Sequence, residues 1–157
     1  MDKNLITEGR KALVSRLEAI SPANGFSTNA GSNVRTGWFN EVLKSAEVGF
    51  PLIVLQKAPG KPPTPGAFAL KLFSGFHVIG AVDVGVDDYD DALEELERDL
   101  LLAVMPCEGI RPSWLPLGCT GISLGAPTSF PPGNGESAAS VIIPVYLHTT
   151  IQGILPP

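Results

Sequence analysis

Cysteine is nearly absent: Cys107 and Cys119 are the only two, with no Cys-x-x-Cys pair. That excludes a disulfide framework, and both read as free thiols of a reducing compartment. Histidine is as scarce, at His77 and His148, so a structural zinc site is not expected. Charged residues make up 17% of the chain, below the usual share of about a quarter. No apolar run approaches the ~20 residues that a membrane helix needs. The first residues open an amphipathic segment rather than a signal sequence, so no export is expected. Phosphate-loop, dinucleotide and His-Glu-x-x-His signatures are missing. Lysines and arginines are too few, and too rarely beside aromatics, to predict a nucleic-acid surface. With a net charge of −5, general attraction to nucleic acid is not expected either.

What is abundant is glycine and proline, 17 and 15 of 157 residues, which predicts a loop-rich fold with much β structure. Hydrophobic residues reach 44%, enough for a core without staples in a single domain spanning 1–157. The charge is uneven. Residues 1–86 carry a net +3 and residues 87–157 a net −8, with eight acids between Asp87 and Asp99 opposed only by Arg98. A solvated acidic helix explains that run; a surface whose sign matters to a neighbour is the sharper reading.

Periodicity predicts a helix over 5–20, with Ile6, Leu13, Leu17 and Ile20 on its inner stripe and Ala12 beside them, Asp2 as cap and Ser21-Pro22 as stop. A second helix is expected over 90–105, with Tyr89, Leu93, Leu96, Leu100 and Ala103 inward and Pro106 ending it. Asp88 or Asp90 would cap it. Strands are expected at Val34–Phe39, Pro51–Gln56, Gly118–Gly125 and Ala139–Thr150, with a helical turn within 40–48. Pro144 predicts an edge or a bulge in the last strand. Phe68–Val86 reads as a hairpin turning at Ser74-Gly75, with a bulge or bend at Gly80 and Gly85. Three Pro/Gly-rich loops are expected at 22–33, 58–66 and 127–135. The fold class is therefore α+β: two helices packed on one face of a mostly antiparallel or mixed sheet of about five to six strands, a two-layer sandwich.

Two patterns invite chemistry. Gly121-Ile122-Ser123-Leu124-Gly125 matches Gly-x-Ser-x-Gly, and Glu136 and His148 follow in the order acid, base. A nucleophile elbow needs a helix after the serine, whereas Ala126-Pro127 and the residues after it cannot form one. The twelve or thirteen residues between members also leave no room for α/β units. An ordinary strand with small residues accounts for the pattern, and a small serine hydrolase using Ser123 is the less favoured reading. Asp87-Asp88-Tyr89-Asp90-Asp91 lacks the glycine of a calcium loop and reads as helix capping. No catalytic, cofactor-binding or metal-binding residue is assigned, and the chain is not read as an enzyme.

The element order resembles the tail terminator (tail completion) proteins of long-tailed bacteriophages. The matching segments are the helix Ala12–Ile20, the strand Phe50–Leu55, the hairpin end Gly80–Val86, the helix Asp90–Leu100 and the closing strand Val141–Thr150. The resemblance runs from about Leu5 to Thr150 by layout rather than by signature, and the three Pro/Gly-rich stretches have no counterpart in it. It implies a homo-oligomeric ring, a hexamer, at the neck end of the virion tail, assembled in the host cytoplasm. Such a ring caps the tail tube, ends its polymerisation and presents a docking surface to the head connector. DNA passes through its lumen without specific binding. Another head–tail joining or tail tube ring component is the nearest alternative. Pro59–Pro65 and Pro127–Asn134 are then expected to touch a neighbouring subunit or the tube, being already stiff, and some acids of Asp87–Asp99 to face the channel.

Overall fold

The computed structural model describes residues 3–45, 48–85, 89–132 and 138–154. Helix α1 spans Leu5–Glu18, and Asn4 caps it by accepting from the amides of Ile6 and Thr7 at 3.1 and 3.4 Å. The expected cap, Asp2, lies outside the described residues. Strand β1 is Val34–Thr36, and the expected helical turn is α2, Phe39–Leu43. Strands β2 and β3 run Leu52–Gly66 and Ala69–Asp83, helix α3 is Tyr89–Ala103, and β4, β5 and β6 are Cys119–Leu124, Thr128–Phe130 and Ala138–Gln152. The order across the sheet is β1-β2-β3-β6-β4, with β5 also on β6. β1 joins β2 in parallel and every other pair is antiparallel. The fold is α+β.

Side chains alternate across this sheet. One face sends Ile53, Leu55, Phe76, Val78, Val82, Val141, Ile143, Val145 and Leu147 against Leu13, Leu17, Leu93, Leu96 and Leu100 of α1 and α3. These are most of the inner stripes expected of the two helices; Ile6, expected inward, is exposed and Tyr89 is half-buried. The other face sends Leu52, Val54, Ile79, Ala81 and Ala138 against Phe39, Val42 and Leu43 of α2. That end of the sheet is therefore covered on both sides, a third layer absent from the expected two-layer sandwich.

The strongest correction concerns residues 58–66. They are not a loop but the second half of β2, paired with β3 from Ala58↔Gly75 to Gly66↔Ala69. Proline is tolerated because β1 covers only Ile53–Leu55, so the outer edge of β2 beyond Gln56 is free and a missing N–H breaks no ladder there. Two register shifts, between Ala58 and Lys61 and between Lys61 and Thr64, take up the rest of the mismatch. The hairpin turns at Ala67-Phe68, where Phe68 has φ 52°, and Ser74-Gly75 lies mid-strand. β2, β3 and β6 thus form a three-stranded arm. With fifteen residues each, the strands reach roughly 50 Å at ~3.3 Å per residue.

Other expectations shift less. No bulge occurs at Gly80, which pairs in register with Ile53 and Val141; a Cβ there would stand 2.8 and 2.9 Å from Leu96 and Leu100, so glycine lets α3 close on the sheet. Asp90 lies inside α3 rather than capping it; Asp88, the other candidate, is not among the described residues. Pro144 is in an interior strand, not at an edge, where the partner of β6 changes from β4 (Leu124↔Val145) to β5 (Thr128↔Ile142). Within 127–135, residues 128–130 form β5 rather than loop, while 133–135 fall outside the described residues. Segment 22–33 is a connection of two 3-10 turns, with Ala30 and Gly31 buried.

Candidate functional site

Past α2, the sheet face opposite α1 and α3 carries a patterned set of side chains. Register places Lys61 of β2, Phe73 of β3, His148 of β6 and Gly121 of β4 in one row. Gly75, Tyr146 and Ser123 fill the next row, and Lys71 opposite Thr150 a third. Ser123 Oγ and His148 Nε2 are 2.9 Å apart. The edge of one aromatic ring meets the other where Phe73 and His148 stand 4.9 Å apart at 78°. Lys61 Nζ sits 4.5 Å over the Tyr146 ring, and Lys71 Nζ 5.6 Å over Phe73, cation–π contacts that hold both ammonium groups on this face.

Burial, then the charges of Lys71 and Lys61, push the His148 imidazole below its ordinary value of 6.5. It is therefore neutral at pH 7. The fold is favoured most above pH 6.5 and loses that contribution as pH falls through the lowered value.

The Ser123–His148 contact is half of a hydrolase. Sequence spacing had counted against it, yet antiparallel neighbours bring the two residues together without any α/β unit. Among the described residues, no other part of such a site is brought to this pair. Ser123 is mid-strand, and the element that follows is β5, not a helix whose amides could hold an oxyanion. His148 Nδ1 faces Gly121, whose Cβ, were there one, would lie 3.5 Å away. Glu136 falls outside the described residues. Two hollows, of about 360 and 540 Å³, lie along the arm; Arg10, Trp38 and Leu55 line the first, and Ile6, Leu72 and Pro62 the second. Neither borders Ser123 or His148.

No family model and no curated protein matches this chain. The site must be read from its own chemistry: two cations, three rings and a hydroxyl on an open sheet. Among the described residues, no group of three His, Cys, Asp or Glu side chains is placed to hold a metal ion. Cys107 is exposed and Cys119 buried, both free. His77 and Asp83 share β3 six residues apart, ~20 Å along an extended strand.

The cation–aromatic face was missed by sequence reasoning because its members come from three strands whose register is non-local. The one available signal was the period-two spacing of Lys71 and Phe73. We expect Ser123→Ala to change stability by about 1 kcal/mol or less, the net worth of one hydrogen bond. A fluorophosphonate probe is expected to leave Ser123 unmodified; stoichiometric labelling, read by intact mass, would reverse this reading in favour of a hydrolase.

Proposed function

We propose that the protein is a structural ring subunit of the tail-terminator kind, working by shape and contact rather than by making or breaking bonds. Six copies close into a ring on the end of a phage tail tube, stop its growth and offer a surface to the head connector, while DNA passes through the hole unread. The ring stands at the neck end of the virion tail.

The observation that carries this reading is the arm formed by β2, β3 and β6. A head-to-tail ring needs two different surfaces on each subunit, and this fold has them: a helical layer on one sheet face and an open cationic face on the other. The free edge of β2 bears Pro59, Pro62, Pro63 and Pro65. Prolines on an exposed edge block strand addition without end. That favours a subunit that stops at one ring over a tube subunit that stacks indefinitely.

Native mass measurement is expected to show about 99 kDa, six copies of a 16.5 kDa chain, alone or once tail tubes are added. Deleting the protein from its virus is expected to yield overlong tubes without heads. A monomer that ignores tubes, together with tails of normal length in the deletion, would overturn the proposal; open-ended stacks would instead indicate a tube protein.

A further inference from the structure

Lys61 and Lys71 make no ion pair with any described residue of their own chain. Among the described residues the only ion pair joins Lys44 to Glu41. Nor is there an acid in any of the strands that build the cationic face beyond α2; the nearest on them, Asp83, ends β3 at the opposite end. The acids are on α3: Asp90, Asp91, Glu94 and Glu95 are exposed and Glu97 half-buried, with Arg98 alone opposing them.

Asp90 and Asp91 meet the positive end of the α3 dipole, but part of the spacing works against the helix. Asp90 with Glu94, and Asp91 with Glu95, are like charges one turn apart, which weakens an isolated helix. A local conflict of this kind is expected where a partner relieves it. A single copy cannot, because α3 packs on the face of the sheet opposite the lysines. The complement of each patch must come from outside the copy that bears it, and a second copy of this chain carries both signs. Joining different patches of successive copies makes a heterologous contact, and such contacts close into rings when the rotation allows.

The dimensions agree. Lys61 pairs with Phe73, two residues from Lys71, so the two ammonium groups stem from positions ~7–8 Å apart on the diagonal of a strand pair. Successive turns of a helix face repeat every ~5.4 Å, so two lysines span roughly one to one and a half turns of carboxylates. The rings beneath them argue against nucleic acid as the occupant. Base binding on a sheet needs aromatic faces open for stacking, whereas Tyr146 and Phe73 are already covered by the two lysines and Phe73 also by the imidazole.

We infer that the Lys61/Lys71 face of each arm docks on the acidic outer surface of α3 in the next copy, so that these carboxylates line the seam between subunits rather than the channel. The inference rests on the ring reading and adds the residues that close the ring. Charge reversal tests it. Lys61→Glu with Lys71→Glu in one protein, and Glu94→Lys with Glu95→Lys in another, alter only exposed positions; matching melting curves confirm that both are folded.

Each variant alone is expected to assemble at least about tenfold more weakly than the unaltered chain, since like charges then face each other. Mixed one to one, they are expected to form rings again. Each seam in the mixture then joins an altered to a differently altered copy, so native mass spectrometry should read even-numbered rings with equal shares of the two. Assembly of either variant as readily as the parent overturns the inference and leaves the ring standing on other contacts. Failure of the mixture to recover also overturns it. Should the lysine variant keep its rings but lose salt-dependent binding to a DNA oligonucleotide, the face is a nucleic-acid surface instead. If the unaltered protein never closes a ring, even on tubes, the inference falls together with the reading beneath it.

Discussion

Asp99→Ala is expected to cost about 3–5 kcal/mol of folding stability, although it removes one acid from a helix crowded with them. Asp99 is fully buried. Its two oxygens accept from the Ser27 amide at 2.9 Å, the Thr28 amide at 2.7 Å and the Thr28 hydroxyl at 2.7 Å. Alanine removes the acceptor of two amides and a hydroxyl, on exposed Ser27 and half-buried Thr28, and a hydrogen bond to a charged group is worth ~1.5–3 kcal/mol. The carboxyl group holds the connection 22–33 against α3, from which Ala30 enters the core and the Gly31 amide donates to the Ile20 carbonyl at 2.9 Å. Gly31 packs tightly there: a Cβ added to it would stand 2.5 Å from the carbonyl oxygens of Glu18 and Ile20. Asp99→Asn keeps one acceptor oxygen but turns donors toward donors, and we expect it to lose most of the same stability. Thermal melting should fall by roughly 10 °C, at ~2–4 °C per kcal/mol for a domain of this size. A change under about 1 kcal/mol would show that this carboxyl group does not hold the connection.

The sequence hides this role because Asp99 sits in a charge run, and runs are usually solvated. One signal was there: Asp99 lies three residues after Leu96 and next to Leu100, on the buried stripe. Elsewhere legibility followed the range of the interactions. Leu13 and Leu17 in α1, and Leu93, Leu96 and Leu100 in α3, declare their helices through a local period, and Val141 to Leu147 declare β6 in the same way. The arm was misread on two counts. Pro59 to Pro65 imply a loop wherever a ladder lies on both sides, and nothing local shows that this half of β2 has a free edge. Ser74-Gly75 has turn chemistry, whereas the real turn, Ala67-Phe68, has almost none and holds a phenylalanine at positive φ. The contact between Ser123 and His148 depends on the β4–β6 register, and the lysine–aromatic face on three registers at once. Neither is written in any short window.

Gly75→Ala is the sharpest test of the arm, and its expected effect is large in both stability and assembly. Gly75 is buried opposite Ala58, and a Cβ there would collide with the Pro59 carbonyl and come within 2.8 Å of the Ala58 oxygen. These are backbone atoms, so no rotamer change relieves the overlap. From the other strand, Gly60 meets the Phe73 carbonyl in the same way. The two glycines let the bulged half of β2 lie tightly on β3. With a methyl group between them the strands must part or slip, and a slip of one residue turns every side chain of the strand to the opposite face, carrying Lys61 away from Tyr146. A penalty of roughly 2–4 kcal/mol follows, in the range of severe backbone and packing defects. It should be local: amide exchange is expected to quicken over 57–75 while α3 and the core part of β3 stay protected. Ring assembly should weaken at least about tenfold, because the cationic face no longer presents its lysines together. Gly66→Ala is the control, with its nearest atom at an ordinary 3.7 Å and stability unchanged within about 0.5 kcal/mol. If Gly75→Ala melts and assembles like the parent, the close strand contact is not what shapes the arm, and the docking face must be sought at another surface of the subunit.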